Sequence, residues 1–156
     1  MRTIDILLQN LQKYYNVNSI RKLSKKMEMS GDVLLNWSSG RSSPKLEQLD
    51  AIAYRLNVEV SELLVQDVDI SITSPIWRDN VERNFTENLG RFKQEKGIHK
   101  SWFDTNSCGL SYWSFCYYVN GGNKTVNLKT LDKLANIFDV QTYQLLESRK
   151  SNEKEN

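Results

Sequence analysis

Apolar residues recur every three or four positions along most of this chain, which is the spacing of helices that bury one face. The clearest run extends from position 46 to position 58, where the apolar side chains would share one face (Leu46, Leu49, Ile52, Ala53, Leu56). Residues that favour helix ends separate the other runs. Thr3, Asn18 and Ser30 are predicted N-caps, Gly40 is a predicted C-terminal residue, and Pro44 is predicted to open the fourth helix. The first half therefore predicts about five short helices.

The second half of the chain repeats this pattern. Segment 128–140 matches segment 46–58 at a shift of 82 positions, and a Leu-Leu pair follows each segment. Upstream the shift falls to 81 for Gly40 and Gly121, and to 80 for Leu23 and Phe103. One-residue insertions in turns explain the drift. The second set of helices is predicted to begin at Asp79 or Asn80, at His99, at Ser111, at Asn127 and at Thr142.

Such a duplication predicts an all-α protein of two domains. Residues 1–66 would form the first domain and residues 79–148 the second. Residues 67–78 alternate apolar and polar side chains, so they are expected to be an extended linker or a strand that pairs two chains. The charged tail, residues 149–156, is expected to be disordered.

Both units resemble the lambda-repressor-like (Cro-type, XRE) helix-turn-helix family. The first unit carries the resemblance in Leu23-Ser24, the turn Glu28-Met29-Ser30, Leu34, Trp37, Gly40, Pro44 and the Leu49-x-x-Ile52-Ala53 pattern. The second unit carries it in segment 92–98, Phe103, Leu110-Ser111, Asn120-Gly121 and the C-terminal Leu/Ala pattern. The resemblance implies two tandem five-helix domains of this type.

It also implies that the third helix of a unit lies in the DNA major groove. The family's base-contact positions correspond here to Gly31, Asp32, Leu35 and Asn36. The amide of Asn36 suits an adenine edge, and Asp32 can accept from cytosine although it repels nearby phosphate. Ile20 stands where many members have glutamine, so one expected polar contact is missing.

Charge is concentrated on the first unit's helix-turn-helix. Residues 19–45 hold six cations and two acids, a net charge of +4, whereas the whole chain carries +2. Phosphate contacts are expected from Arg21, Lys22, Arg41, Ser43 and Lys45 in the first unit, and from Lys100 and Lys124 in the second. Ordinary solvated lysines are the alternative interpretation.

The third helix of the second unit is aromatic instead. Phe115 and Tyr118 are predicted to face the core, which leaves Tyr112, Trp113, Cys116 and Tyr117 outward. Exposed aromatic clusters mark protein contacts more often than base-reading surfaces. Tyr112, Trp113 and Tyr117 are therefore predicted to form a protein interface that joins two chains into a homodimer through domain 2. Direct contact of these rings with DNA and a deeper core are the alternatives.

The remaining residues offer little chemistry. Cys108, Cys116 and the single histidine, His99, are too few for a zinc site, and no glycine-rich phosphate loop or nucleophile with an acid–base partner is evident. Neither a membrane span nor a signal peptide is predicted, so a cytoplasmic location is expected. No cofactor, metal or enzymatic activity is expected.

The sequence thus predicts a sequence-specific transcriptional regulator that binds double-stranded DNA, a repressor of phage or mobile-element type. The alternative is a protein-binding antagonist or adaptor. An example is a phage-type inhibitor of a host or defence protein that also represses its own promoter.

Overall fold

The predicted apolar periodicity is realised as helices throughout the described part of the chain. A computed structural model describes residues 1–66, 80–106, 109–122 and 126–148. Those residues contain no strand, which confirms the all-α class. The elements are α1 (Thr3–Tyr15), α2 (Ile20–Lys26), α3 (Gly31–Ser39), α4 (Leu46–Leu56), α5 (Val60–Leu63), α6 (Val81–Glu95), α7 (Lys100–Asn106), α8 (Tyr112–Val119), α9 (Leu128–Phe138) and a 3₁₀ helix, η1 (Thr142–Leu145). The predicted linker 67–78, the tail 149–156, Cys108 and Lys124 lie outside the described residues.

Most helix starts follow the local capping chemistry. The side chains of Asn80, Ser111 and Asn127 each accept a hydrogen bond from a backbone N–H three residues on, as predicted. Helix α2 is capped in the same way by Ser19, so the prediction of Asn18 was wrong by one residue. Ser30 occupies the N-cap of α3 but makes no capping hydrogen bond with its side chain.

Two predicted starts in the first half were misplaced. Thr3 is the first residue of α1, and the residue before it, Arg2, bonds through its guanidinium to Asp5 in the first turn. Helix α4 begins at Leu46, two residues after Pro44. The carbonyl of Pro44 instead accepts a hydrogen bond from the N–H of Leu128, in the other half of the chain.

The two halves have the same architecture. Here α1–α5 are called the first unit, and α6–α9 with η1 the second unit. In both units the first helix packs on the third and the fifth, the second on the third, and the fourth on the fifth. The fourth helices both end in left-handed residues, Asn57 (φ 56°) and Asp139 (φ 55°). The third helices both end at left-handed glycines, Gly40 (φ 83°) and Gly121 (φ 98°). The fifth helix predicted for the second unit is a 3₁₀ turn.

A buried asparagine on the first helix of each unit ties that unit together. The amide of Asn10 donates to the carbonyls of Leu63 (2.8 Å) and Val65 (2.9 Å). The amide of Asn88 donates to the carbonyls 82 positions further on, those of Leu145 (2.9 Å) and Glu147 (3.0 Å). Asn10 and Asn88 are themselves only 78 positions apart, which differs from the shift of 80 to 82 that relates the rest of the two units. Their equivalence is therefore visible in the structure and not in the sequence repeat.

The two units pack against each other through equivalent segments, 44–46 and 126–128, which are here called the seam. The N–H of Leu46 donates to the carbonyl of Val126 (2.8 Å), and the N–H of Leu128 donates to that of Pro44 (2.9 Å). Leu46 and Leu128 are 82 positions apart, and so are Pro44 and Val126. Exchanging the two units therefore turns each of these hydrogen bonds into the other. The fifth elements of the two units, α5 and η1, also pack on each other. The contact is therefore isologous, like that of a two-fold dimer, but it lies within one chain.

The apolar core runs across this contact. Buried side chains of both units form one continuous cluster. In the first unit its centre is aliphatic, whereas in the second unit rings predominate, with Phe103 stacked on Phe115 at 4.8 Å and Phe92 on Phe138 at 5.4 Å. The two units thus share the arrangement of their helices, whereas the side chains that fill their cores differ.

The asparagine anchors generate a prediction about stability. Replacing Asn10 with alanine leaves two carbonyls without their amide donor, and replacing Asn88 leaves three, so each variant should lose about 1–3 kcal/mol of unfolding free energy. Urea denaturation followed by circular dichroism measures the loss. Asn136→Ala, on the exposed face of α9, is the matched control and should change stability by about 0.5 kcal/mol or less. Equal stability of all three variants would contradict the anchoring role.

Candidate nucleic-acid interface

Helix α3 has a buried face and an open face. Leu34 and Trp37 are buried, and the opposite positions hold the four predicted base-contact residues. Of these, Gly31 and Asp32 are exposed, Leu35 is 54% exposed and Asn36 is half-buried. The structure therefore brings all four predicted residues onto one accessible face.

The end of α3 holds Asn36 in place through its backbone. The Asn36 carbonyl accepts from the N–H of Ser42 and from the hydroxyl of Ser39, both at 3.2 Å. Within the described ranges its side-chain amide has no hydrogen-bond partner, so both its donor and its acceptor remain available. At the other end of the helix, a Cβ added to Gly31 would meet no atom within 4 Å, so a bound molecule can approach the backbone closely.

Helix α2 presents four cations on one side. Arg21, Lys22, Lys25 and Lys26 are exposed, at the spacing of a single helical face, while Leu23 and Ser24 are buried opposite. These four residues are here called the basic face. Sequence reasoning named Arg21 and Lys22 as phosphate contacts and counted Lys25 and Lys26 only in the net charge. Their i+4 spacing from the first pair is the signal that would have identified them.

The basic face carries uncompensated charge. Among the described residues, no carboxylate lies within ion-pair distance of its four cations, and Lys22 bonds only to the amide oxygen of Asn18 (3.2 Å). Arg41 and Lys45, between α3 and α4, are exposed as well. The guanidinium of Arg55 donates to the carbonyl of Met27 at 2.8 Å, which secures the end of α2. Exposed cations therefore lie on the helix that packs against α3 and in the segment that follows α3.

Ser43 occupies a different position from the other predicted phosphate contacts. Its hydroxyl accepts a hydrogen bond from the N–H of Lys129 (3.0 Å), in the first turn of α9. The ammonium group of Lys129 also donates to the carbonyl of Gly40. Ser43 thus lies beside the seam, where its oxygen accepts a hydrogen bond from the other unit while its O–H remains able to donate to a phosphate.

The second unit has no counterpart of the basic face. At the shift of 80 positions, the four cations of α2 correspond to Ser101, Trp102, Thr105 and Asn106 in α7. The predicted phosphate contact Lys100 pairs with Asp104 at 2.8 Å, and this hydrogen bond raises the pKa of Lys100. Its charge is therefore balanced within α7.

Helix α8 exposes rings where α3 exposes its contact residues. At the shift of 81 positions, Trp113 stands in the place of Asp32 and Tyr117 in that of Asn36. Trp113 is 72% exposed and Tyr117 is 61% exposed. These two residues are here called the aromatic face. As predicted, Phe115 is buried beneath them.

Three neighbouring residues depart from the predicted pattern. Tyr112 is only half-exposed, because its ring packs edge-on against Phe103 at 5.8 Å. Hydrogen bonding to the half-buried thiol of Cys116 raises the pKa of Tyr112. Tyr118, predicted for the core, is half-buried near Phe85, and this burial raises its pKa. The aromatic face is thus narrower than the sequence indicated.

The ring of Tyr117 rests on the backbone of Gly122. A Cβ added at Gly122 would lie 2.1 Å from the Cζ atom of Tyr117, so a side chain there and the ring in its present position exclude each other. The N–H of Gly122 also donates to the carbonyl of Tyr117 at 2.9 Å. The ring of Tyr117 therefore occupies space that only a glycine at position 122 leaves open.

No helix among the described residues is long and apolar enough to cross a membrane. In the same residues, no three His, Cys, Asp or Glu side chains are grouped as metal ligands. No family model matches the sequence, and no curated protein or solved structure matches it. The exposed chemistry of α2, α3 and α8 therefore carries the functional argument.

The contact with Gly122 can be tested directly. Gly122→Ala should displace the Tyr117 ring and shift its aromatic NMR resonances, which Tyr117→Phe would assign. Gly90→Ala is the control, since a Cβ at Gly90 meets nothing within 4 Å and alanine favours the α6 helix by about 0.5–1 kcal/mol. Unmoved Tyr117 resonances in Gly122→Ala would show that the ring does not depend on this glycine.

Proposed function

We propose that this chain is a DNA-binding transcriptional regulator built from two tandem lambda-repressor-like helix-turn-helix domains, and that its first unit carries most of the phosphate contacts. The observation that carries the proposal is the basic face of α2, on a helix that packs against α3, whose own outward face is accessible. Four uncompensated cations on one helical face suit a polyanion, and the adjacent exposed helix suits a groove.

The two helices would have different tasks. Helix α3 would enter the major groove, where the free amide of Asn36 can pair with an adenine edge. The basic face, with Arg41 and Lys45, would bind phosphates and so fix the depth and angle of α3 without reading sequence. Such a division explains why the unpartnered amide lies on α3 while the cations lie mostly on α2.

Recognition by α3 would be limited by two of its neighbours. Ile20, at the start of α2, packs against the core and offers no polar group to a base or phosphate. The carboxylate of Asp32 is exposed at the start of α3, where it is favourable to the helix dipole but repels a phosphate. Sequence reading by the first unit would therefore depend mainly on Asn36 and on contact between Leu35 and thymine methyl groups.

A regulatory role of this kind requires only that the chain bind DNA, and it needs no catalytic group. We expect a repressor of phage or mobile-element type, acting in the cytoplasm by occupying a promoter. DNase footprinting on the upstream region of its own gene tests this role, and protection of a discrete site there is the expected result. Binding without any preferred site would support DNA binding but contradict the proposed regulatory role.

The aromatic face favours a second candidate function, that of a protein-binding antagonist or adaptor. Exposed tryptophan and tyrosine are the side chains most enriched at interface hot spots. Capture of a stoichiometric protein partner that Trp113→Ala abolishes, together with no preferred DNA site, would favour this alternative.

The basic face generates a prediction about salt dependence. Each phosphate contact adds close to one unit to the slope of log K against log salt concentration, so Lys25→Ala should flatten the slope by roughly one unit. Affinity should fall similarly on all duplexes, since phosphate contacts carry no sequence information. Lys133→Ala, an exposed lysine on α9, is the matched control and should leave the slope unchanged. Identical slopes for both variants would remove Lys25 from the interface.

Asn36 generates a prediction about specificity. If its amide reads a base, Asn36→Ala should cost about 1–3 kcal/mol on the preferred site and little on random duplex. Fluorescence anisotropy on both duplexes measures the difference. Equal losses on the two duplexes would show that Asn36 only positions the helix.

A further inference from the structure

We propose that one chain alone is a two-headed DNA reader, and that it binds a non-palindromic site whose second half is contacted by the aromatic face of α8 through thymine methyl groups. This inference rests on the proposed DNA-binding function. It adds the number of chains per site, the asymmetry of the site and the chemistry of its second half.

The first step is the symmetry of the seam. Its two backbone hydrogen bonds exchange when the units exchange, and α5 packs on η1 at the positions that the exchange also equates. An isologous contact of this kind is what a two-fold dimer uses to hold two copies. Helix-turn-helix proteins need such a contact, because two readers must reach half-sites one helical turn apart, about 10 base pairs. Here a single chain already contains it.

The second step is the equivalence of the two third helices. Both α3 and α8 pack on the first and second helices of their own unit, and both expose the face directed away from the core. The internal two-fold therefore relates the open face of α3 to the aromatic face of α8. When the two-fold of the protein coincides with a local two-fold of the duplex, placing α3 in the major groove places α8 in the next one.

The third step is the difference in chemistry between these faces. The aromatic face offers no free cation or amide, and the nearby Lys100 is paired with Asp104. Its rings can contact the C5-methyl groups of thymine, and the hydroxyl of Tyr117 can donate to a phosphate. The ring of Tyr117 packs over the backbone of Gly122, where no side chain obstructs it. The second half-site should therefore be thymine-rich and bound with little salt dependence.

This arrangement removes the reason for expecting a homodimer through domain 2. That expectation followed from the need to hold two readers at a fixed spacing, and the seam meets this need within one chain. The aromatic rings of α8 are then left free to face DNA rather than a second copy.

The test begins with selection of duplexes from a random 30-base-pair library by the full-length chain. The expected consensus has two unlike halves about 10 base pairs apart, and sedimentation of the complex should give one chain per duplex. Replacing thymines by uracil removes only the methyl groups. In the half assigned to α8, each replacement at a contacted position should weaken binding about threefold to fivefold. In the half assigned to Asn36, uracil should have an effect only at a methyl touched by Leu35.

Two variants separate the half-sites. Trp113→Ala should weaken binding to the selected duplex about tenfold and abolish the uracil effect in its half. The fold should persist because Trp113 is mostly exposed, and circular dichroism checks this. Tyr54→Ala, which removes an equally exposed ring from α4, is the control and should leave affinity unchanged.

The outcomes distinguish this inference from the function on which it rests. A palindromic consensus, or two chains per duplex, overturns the single-chain reader and leaves DNA binding intact. A consensus of one half-site that is insensitive to Trp113→Ala overturns the role of α8. If no duplex is enriched and random DNA is not bound, the proposed function itself fails.

Discussion

The arrangement of this molecule depends on two reciprocal backbone hydrogen bonds, from Leu46 to Val126 and from Leu128 to Pro44. Leu46 and Leu128 are the first residues of α4 and α9, and N–H groups in a first helical turn have no partner within their own helix. Each unit therefore supplies the carbonyl that completes the start of a helix in the other. Separating the units would expose these donors and also the apolar side chains that both units bury in one continuous core, so the hydrogen bonds align a contact that the shared core stabilises.

A symmetric scaffold does not require symmetric surfaces. The anchors that determine the fold have been kept in both units: a buried asparagine on the first helix, and left-handed residues after the third and fourth helices. The exposed positions carry no such constraint. They have become a basic face with a free amide in one unit and an aromatic face in the other. Duplication followed by divergence of surface positions is the simplest way to obtain one shared core with two unlike exposed faces.

The positions of the charged side chains are more informative than the net charge of the molecule. A net charge of +2 is small for the DNA-binding function that we propose. The four cations of the basic face nevertheless lie on two turns of one helix, without carboxylate partners among the described residues. Two described lysines of the second unit are engaged otherwise, Lys100 with Asp104 and Lys129 with the carbonyl of Gly40. Because these lysines are paired, the uncompensated positive charge lies on the basic face of α2 and the exposed rings lie on the aromatic face of α8. The overall composition does not reveal this separation.

Periodicity and hydrogen bonds between residues three or four positions apart were enough to predict the helices, the caps at Ser111 and Asn127, the duplication and the outward face of α3. Three features emerged only from packing: the equivalence of Asn10 and Asn88, the hydrogen bond between Ser43 and Lys129 beside the seam, and the partial burial of Tyr112 against Phe103. These features depend on partners between 9 and 86 positions away. Such partners meet only when the helices pack, and no local pattern in the sequence specifies which of them will meet.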